Sequence, residues 1–490
     1  MKWREAFKRG LHFAQGDAGS LKARVFRSGF WVSLSGVIAS LLNFGRSIVL
    51  ARLLTPETFG LMGLASIALR TIETFTRPGI SQALIARQRD FDEASATAFT
   101  LLIGRGVLLG ALLAAAAPWV ALFYETDELK PVLQVLSLVL AIGGLANINT
   151  IARRKELDFR ALSYLGLATA LLSTIVTIAA AFWLRNVWAL VIGQLASVTL
   201  TTLLSYHFIG GSPRMAFDWP IARELMTYGK FITGSTILAF VAAELDSAVV
   251  GKLVGMAELG LYVIAYTIAN FATSNLSQIV SSVMMPAFSK LQSDIPAVKN
   301  VYLRSLMFIM FAVLPTTAGL MLVAEPLILV VYGEQWIEAA LALQILVVFG
   351  LLRSIGSFNG YLFEGIGLPR IPFVINGLRL LTVAPLIVPM VLWEGRAGAA
   401  IAVTIGVAVH CLAGLLYLRK HISLSLTQLA VSLWRPVWTT LAMAASVGGL
   451  MAVIRSDTIA GLATVIVGGA AVYGGLNFRV LSALKKERLT

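Results

Sequence analysis

Among the ionisable side chains inside long apolar runs of this 490-residue chain are Arg46, Arg70, Glu73, Arg105, Glu244, Asp246, Arg353 and Arg379. An arginine at the middle of a bilayer costs roughly 2.5–3.5 kcal/mol on insertion scales, so such residues persist where they face a cavity or a partner. Guanidinium groups carry five donors in a planar fork that fits the oxygens of carboxylates and phosphates. Arginines outnumber acids in this set, which favours an anionic substrate. Arg46, Arg70, Arg105, Arg353 and Arg379 are the candidate cavity cations. Glu73, Glu244 and Asp246 are candidates for balancing that charge or for binding a coupling proton or Na+. Plainer roles stand beside these. Arg70 and Glu73 lie three apart on one helix face and can pair with each other. Arg105 can snorkel toward the membrane surface, and His410 can be a hydrogen-bonded core residue.

No catalytic constellation accompanies them. Cys411 is the single cysteine and the four histidines are scattered, so neither a disulfide framework nor a cysteine metal cluster can form. No cofactor is expected.

The elements that must position these charges follow from composition. The chain is 58% hydrophobic and 13% charged, with a mean hydropathy of +0.83. Soluble domains run at about 45–50% apolar and about 25% charged. The reading is an all-α polytopic membrane protein. Taking about 20 apolar residues per crossing, fourteen spans are placed near 29–50, 59–78, 96–121, 130–149, 161–183, 187–208, 229–250, 259–281, 304–324, 338–362, 371–393, 397–417, 432–453 and 458–477.

Basic residues test that count. The N-terminus, the even-numbered loops with their flanking span ends, and the C-terminus hold 27 of the 39. The odd-numbered loops hold six: Arg52, Lys130, Arg185, Lys252, Arg396 and Arg455. By the positive-inside rule both termini face the cytoplasm. The net charge of +14 is thus spread along one membrane face, which argues against a nucleic-acid partner. The opening MKWREAFKRGLHF alternates basic and bulky apolar residues, as an interfacial helix on anionic lipid does. All loops are short, so function must reside in the helical bundle.

The chain writes one hinge twice. ARLLTPETFGL at 51–61 and GKLVGMAELGL at 251–261 keep a basic residue (Arg52, Lys252), a leucine and a glycine (Gly60, Gly260) in register. Setting 29–81 against 229–281 without gaps gives ten identities, and LQVLSLVL at 133–140 matches LQILVVFG at 343–350. Six spans separate equivalent points, an even number, so the repeat is parallel about an axis along the membrane normal. The expected organisation is a basic cytoplasmic segment at 1–28, a first six-helix lobe at 29–209 and a cytoplasmic linker at 210–228. A second lobe at 229–423, two added spans at 430–478 and a cytoplasmic tail at 479–490 complete it. Two lobes related in this way face a shared cleft, with the substrate site near its midplane. Arg46 and Asp246, 200 positions apart, are expected to face that cleft from opposite lobes.

The same stretches carry a resemblance. ARLLTPETFGLMGLA, continued through RPGISQALIAR, resembles the N-terminal signature of polysaccharide exporters within the multidrug/oligosaccharidyl-lipid/polysaccharide flippase superfamily. YGEQW at 332–336, followed by ALALQILVV, is similar to that family's second-lobe motif. The resemblance implies a six-plus-six-plus-two helix plan. It also implies translocation of an undecaprenyl-diphosphate-linked oligosaccharide from the cytoplasmic to the periplasmic leaflet of a bacterial inner membrane. A diphosphate head group suits a cavity lined by arginines. The implied partners are the lipid-linked oligosaccharide, membrane lipids and a polysaccharide polymerase or export machinery.

Three other readings compete. A cation-coupled drug exporter of the same superfamily predicts an apolar, aromatic and acidic pocket. A peptidoglycan-precursor flippase also has fourteen spans and a cationic cavity. A membrane enzyme acting on lipid-linked sugars needs a long periplasmic loop or acidic metal motifs, and the sequence has neither.

Overall fold

The computed structural model describes residues 21–76, 79–87, 91–156, 158–211 and 213–487. The interfacial-helix reading of the first residues lies outside the described residues. Lipid offers the backbone no hydrogen-bond partners, so every crossing segment must close its own ladder as a helix. The described residues accordingly form helices without strands.

Fifteen α-helices follow in order. The first eight are α1 (Leu21–Leu53), α2 (Pro56–Phe75), α3 (Ile80–Ala86), α4 (Phe91–Tyr124), α5 (Leu129–Gly144), α6 (Asn149–Lys155), α7 (Phe159–Leu184) and α8 (Val187–Ile209). The rest are α9 (Trp219–Leu253), α10 (Met256–Leu291), α11 (Ile295–Leu327), α12 (Ala339–Gly365), α13 (Arg370–Ile422), α14 (Leu426–Val453) and α15 (Ile459–Glu487). The apolar runs fall on these helices, except that the run at 130–149 continues past the end of α5 to the start of α6 and the run at 59–78 extends beyond the described residues. Two runs share α13, a 53-residue helix interrupted at Glu394 and Gly395. Among the described residues, nine helices are long and apolar enough by length and composition to cross a bilayer. Helices α5 and α6 form a further pair, bent by 59°.

Helix starts are written locally. Asn186 accepts from the Trp188 amide, Asp218 from Ile221 and Asp294 from Ala297, while Ser425 and Gln428 form a capping box. Each side chain satisfies an amide that the first helical turn leaves unpaired. At the hinge, Pro56 opens α2, a position where its missing N–H costs nothing. Arg52 and Lys252 both occupy the last turn of their helices, where a cation meets the negative end of the helix dipole.

Between apolar helices in lipid, close packing replaces hydrophobic exclusion as the cohesive force, and small residues let backbones approach. Gly106 and Gly110 on α4 illustrate this. A Cβ at Gly106 would sit 2.5 Å from the Leu140 carbonyl oxygen of α5, and one at Gly110 would sit 2.9 Å from that of Ser137.

The chain divides into two compact units. One comprises residues 1–53 and 65–237; the other comprises 54–64 and 238–490. In the first, α1 packs on α7, α4 on α5, and α7 on α8. In the second, α10 packs on α12, α12 on α13, and α11 on both α12 and α14. Helices α14 and α15 attach through Met443, Val447, Leu462 and Val465 against Val323 of α11.

Candidate functional site

The second unit gathers polar side chains onto facing helices. On α10, Tyr262, Tyr266 and Asn270 follow at intervals of four, which sets them on one face. On α12, Phe349 and Arg353 are likewise four apart. The Arg353 guanidinium donates to the Tyr266 hydroxyl at 2.9 Å and to Oδ1 of Asn270. Its Cζ lies 5.3 Å from the centre of the Phe349 ring. Arg379, on α13, approaches the same ring at 5.7 Å. Two guanidinium groups therefore share one aromatic platform, held by cation–π attraction and by hydrogen bonds that fix the direction of each fork.

Asp246, on α9, is 3% exposed. It accepts from the Tyr262 hydroxyl at 2.6 Å and from the Ser247 amide at 2.7 Å. One turn earlier, the Ala242 carbonyl accepts from Nη2 of Arg379 at 3.1 Å. Asp246 and Arg379 lie within electrostatic range of each other, so the carboxylate offsets part of the arginine charge. Glu244, two residues away, is half-buried.

A cavity of about 410 Å³ opens beside this cluster. Its polar lining includes Arg353, Arg379, His410, Asn359, Asn376 and Glu364. Nε of Arg379 and Nδ1 of His410 are buried without a hydrogen-bond partner. The cavity extends from the middle of α12 toward Glu364, at the even-loop end of that helix.

The remaining arginines have other settings. Arg105, on α4, donates from Nε to the Thr76 carbonyl at 3.1 Å and from Nη2 to the Glu73 carbonyl at 2.8 Å. Both carbonyls belong to the C-terminal end of α2, where helix carbonyls lack internal partners. Arg105 thereby closes a helix end. Arg70 is exposed on α2, and Glu73 is half-buried. Arg46 is half-buried on α1.

Arg105→Ala is expected to lower thermal stability in detergent by about 1–2 kcal/mol, the scale of a charged contact at a helix terminus. Its effect on substrate affinity should stay within threefold. A large affinity loss at unchanged melting temperature would place Arg105 in the cavity instead.

Sequence reasoning passed over Tyr262, Tyr266, Asn270 and Phe349. The four-residue spacing on α10 was an available signal. It also passed over Arg396, counted above as an odd-loop residue. Arg396 follows the α13 break and contacts both carboxylate oxygens of Glu258, at 2.5 and 2.6 Å. No local pattern announces a pair 138 positions apart.

The profile of a family described as "Polysaccharide biosynthesis protein" matches residues 49–341. The chain belongs to this family. Within this polysaccharide biosynthesis family member, the matched stretch includes both hinges, Asp246 and the YGEQW motif. Lipopolysaccharide biosynthesis protein WzxC of Escherichia coli (strain K12) is 25% identical over 431 residues, covering 86% of each chain. Succinoglycan biosynthesis transport protein ExoT of Rhizobium meliloti (strain 1021) is 24% identical over 347 residues, covering 70% of this chain and 69% of the relative. A structure of lipid II flippase MurJ in an inward closed conformation superimposes with a TM-score of 0.71 at 15% identity. It covers 92% of this chain and 99% of its own, so the two share a fold. The family, its relatives and the apolar helices together make the chain a multi-pass membrane transporter of polysaccharide biosynthesis.

Proposed function

We propose that the protein is a flippase that carries an undecaprenyl-diphosphate-linked oligosaccharide from the cytoplasmic to the periplasmic leaflet of the bacterial inner membrane. The observation that carries this reading is the pair of guanidinium groups, Arg353 and Arg379, over Phe349 at the wall of a polar cavity. A diphosphate presents several oxygens bearing at least two charges, and two oriented forks suit it better than point charges do. Relatives named for lipopolysaccharide and succinoglycan synthesis support a glycan cargo.

The mechanism is alternating access. The arginines replace the water that the head group loses in the cavity, which lowers the barrier to crossing. Internal partners share their charge, so release stays fast: Arg353 is already bonded to Tyr266 and Asn270, and Arg379 is offset by Asp246. Asp246 is also the candidate site for a coupling proton or Na+. Arg46, on α1, is a further candidate cation for cargo. Both termini face the cytoplasm, and a polymerase or export machinery receives the translocated glycan on the far side.

Lipid analysis of cells lacking the protein tests this directly. Diphosphate-linked oligosaccharide should accumulate on the cytoplasmic leaflet and clear on return of the wild-type gene. Normal lipid-linked pools, together with restored efflux of small organic cations, would replace the flippase with a drug exporter.

A further inference from the structure

The YGEQW motif lines neither the arginine pair nor the cavity. It grips the first hinge. Residues 54–64 come from the first repeat yet belong to the same compact unit as 238–490. Within that unit, a Cβ at Gly60 would collide with the Met256 carbonyl oxygen, and a Cβ at Gly260 would collide with that of Pro56. Positions 56 and 60 are the repeat counterparts of 256 and 260. Each glycine thus meets the other copy's helix start, the reciprocal contact that defines a twofold axis. A Cβ at Gly63 would sit 3.4 Å from the side chain of Val263, its own counterpart.

Two clamps hold this crossing. The first is the motif itself. After a π-helical turn at Ile328–Tyr332, Gly333 takes φ 110° and a 3₁₀ turn spans Glu334–Trp336. That path buries Trp336 fully and sets it edge-on against Phe59, with ring centres 5.2 Å apart. Gln335 donates to the Leu54 carbonyl at 3.3 Å. The second clamp is Arg396, which leaves the chain next to Gly395 in its left-handed conformation, φ 53°. It bonds the Glu258 carboxylate, the Glu338 carbonyl at 3.0 Å and the Glu338 carboxylate at 3.2 Å. Glu258 is two residues from Gly260.

All of these groups lie at odd-numbered loops: the first, seventh, ninth and eleventh. The cavity of Arg353 and Arg379 extends toward the opposite, even-loop end. Helix α2 passes from one compact unit to the other between Leu64 and Ala65, so withdrawal of the hinge is tied to motion of the rest of α2.

We infer that the glycine crossing, YGEQW and Arg396 form a latch that shuts the odd-loop end of the transport path and must part for cargo to leave there. The inference rests on the transporter reading above and gives its family motif a task. The chemistry suits repeated opening. At Gly60 and Gly260 the crossing is backbone against backbone. The ion pairs sit at the rim, where water replaces them when they separate.

The test uses the full chain in right-side-out membrane vesicles, in a Cys411→Ser background with a reporter cysteine at Ser357, an exposed lining residue of the cavity. A membrane-impermeant maleimide is added from the odd-loop side. Arg396→Glu and Gly60→Leu should each speed labelling at least fivefold. The exchanged pair Arg396→Glu with Glu258→Arg should return it to within twofold of the parent. In a second arm without the reporter, cysteines at 258 and 396 are joined by a short bifunctional thiosulfonate. Transport should fall at least tenfold and recover on reduction. Unchanged labelling in both variants, or full transport by the joined pair, overturns the latch. The labelling readout does not depend on which cargo is carried, so failure of the glycan assignment remains distinguishable from failure of the latch.

Discussion

Replacing Arg353 and Arg379 together with alanine should lower glycan translocation by about a hundredfold or more, while the protein still reaches the membrane. A hydrogen bond to a charged group contributes about 1.5–3 kcal/mol, and each 1.4 kcal/mol is a factor of ten. Loss of two such contacts in the state that crosses the membrane gives that magnitude. Each single variant should lose about tenfold or more. Lysine at either position should rescue poorly, because an ammonium keeps the charge and loses the fork. Both residues also have structural partners: Arg353 holds Tyr266 and Asn270, and Arg379 holds the Ala242 carbonyl. A melting curve must therefore accompany the transport rate. A double variant that melts like wild type and transports within threefold of it would remove these arginines from the cargo path.

Asp246→Ala is expected to be the most damaging single change to the fold. It strips a buried carboxylate from the Tyr262 hydroxyl and the Ser247 amide. A buried donor left without its acceptor costs about 1–3 kcal/mol. Monodisperse protein recovered in detergent should drop sharply. Asp246→Asn keeps the shape and can still accept from Tyr262, so it should fold. Lacking a titratable group, it should also lose any dependence of transport on a proton or Na+ gradient. An asparagine variant that folds and keeps that dependence would move coupling elsewhere, with Glu244 the next carboxylate to examine.

Much of this architecture is local information. A segment in lipid has no water to satisfy its backbone, so an apolar run of sufficient length must be a helix. Most of the apolar runs lie on a single helix, and the run at 130–149 is split by the bend between α5 and α6. The hinge was legible for a similar reason: Thr55-Pro56-Glu57 ends one helix and begins the next by side-chain chemistry alone. Its recurrence 200 positions later marked a repeat, and the arginine excess inside the spans marked a preference for anions.

Which of those arginines act together was not local. Arg105 and Arg353 both stand inside apolar runs, with nothing nearby to separate them. Yet Arg105 ends on the open carbonyls of α2, while Arg353 ends over Phe349 beside Arg379. The difference is the rotation of each helix about its axis, and packing against neighbours sets that rotation. Arg396 makes the same point from the other side. Its sequence position reads as a loop, and its partners Glu258 and Glu338 are 138 and 58 positions away. The sequence alone determined that this chain is a repeated bundle of membrane helices carrying buried cations. Tertiary packing decided which cations share a cavity, which one closes a helix end and which one clamps the hinge, because only packing brings side chains from distant helices within bonding distance.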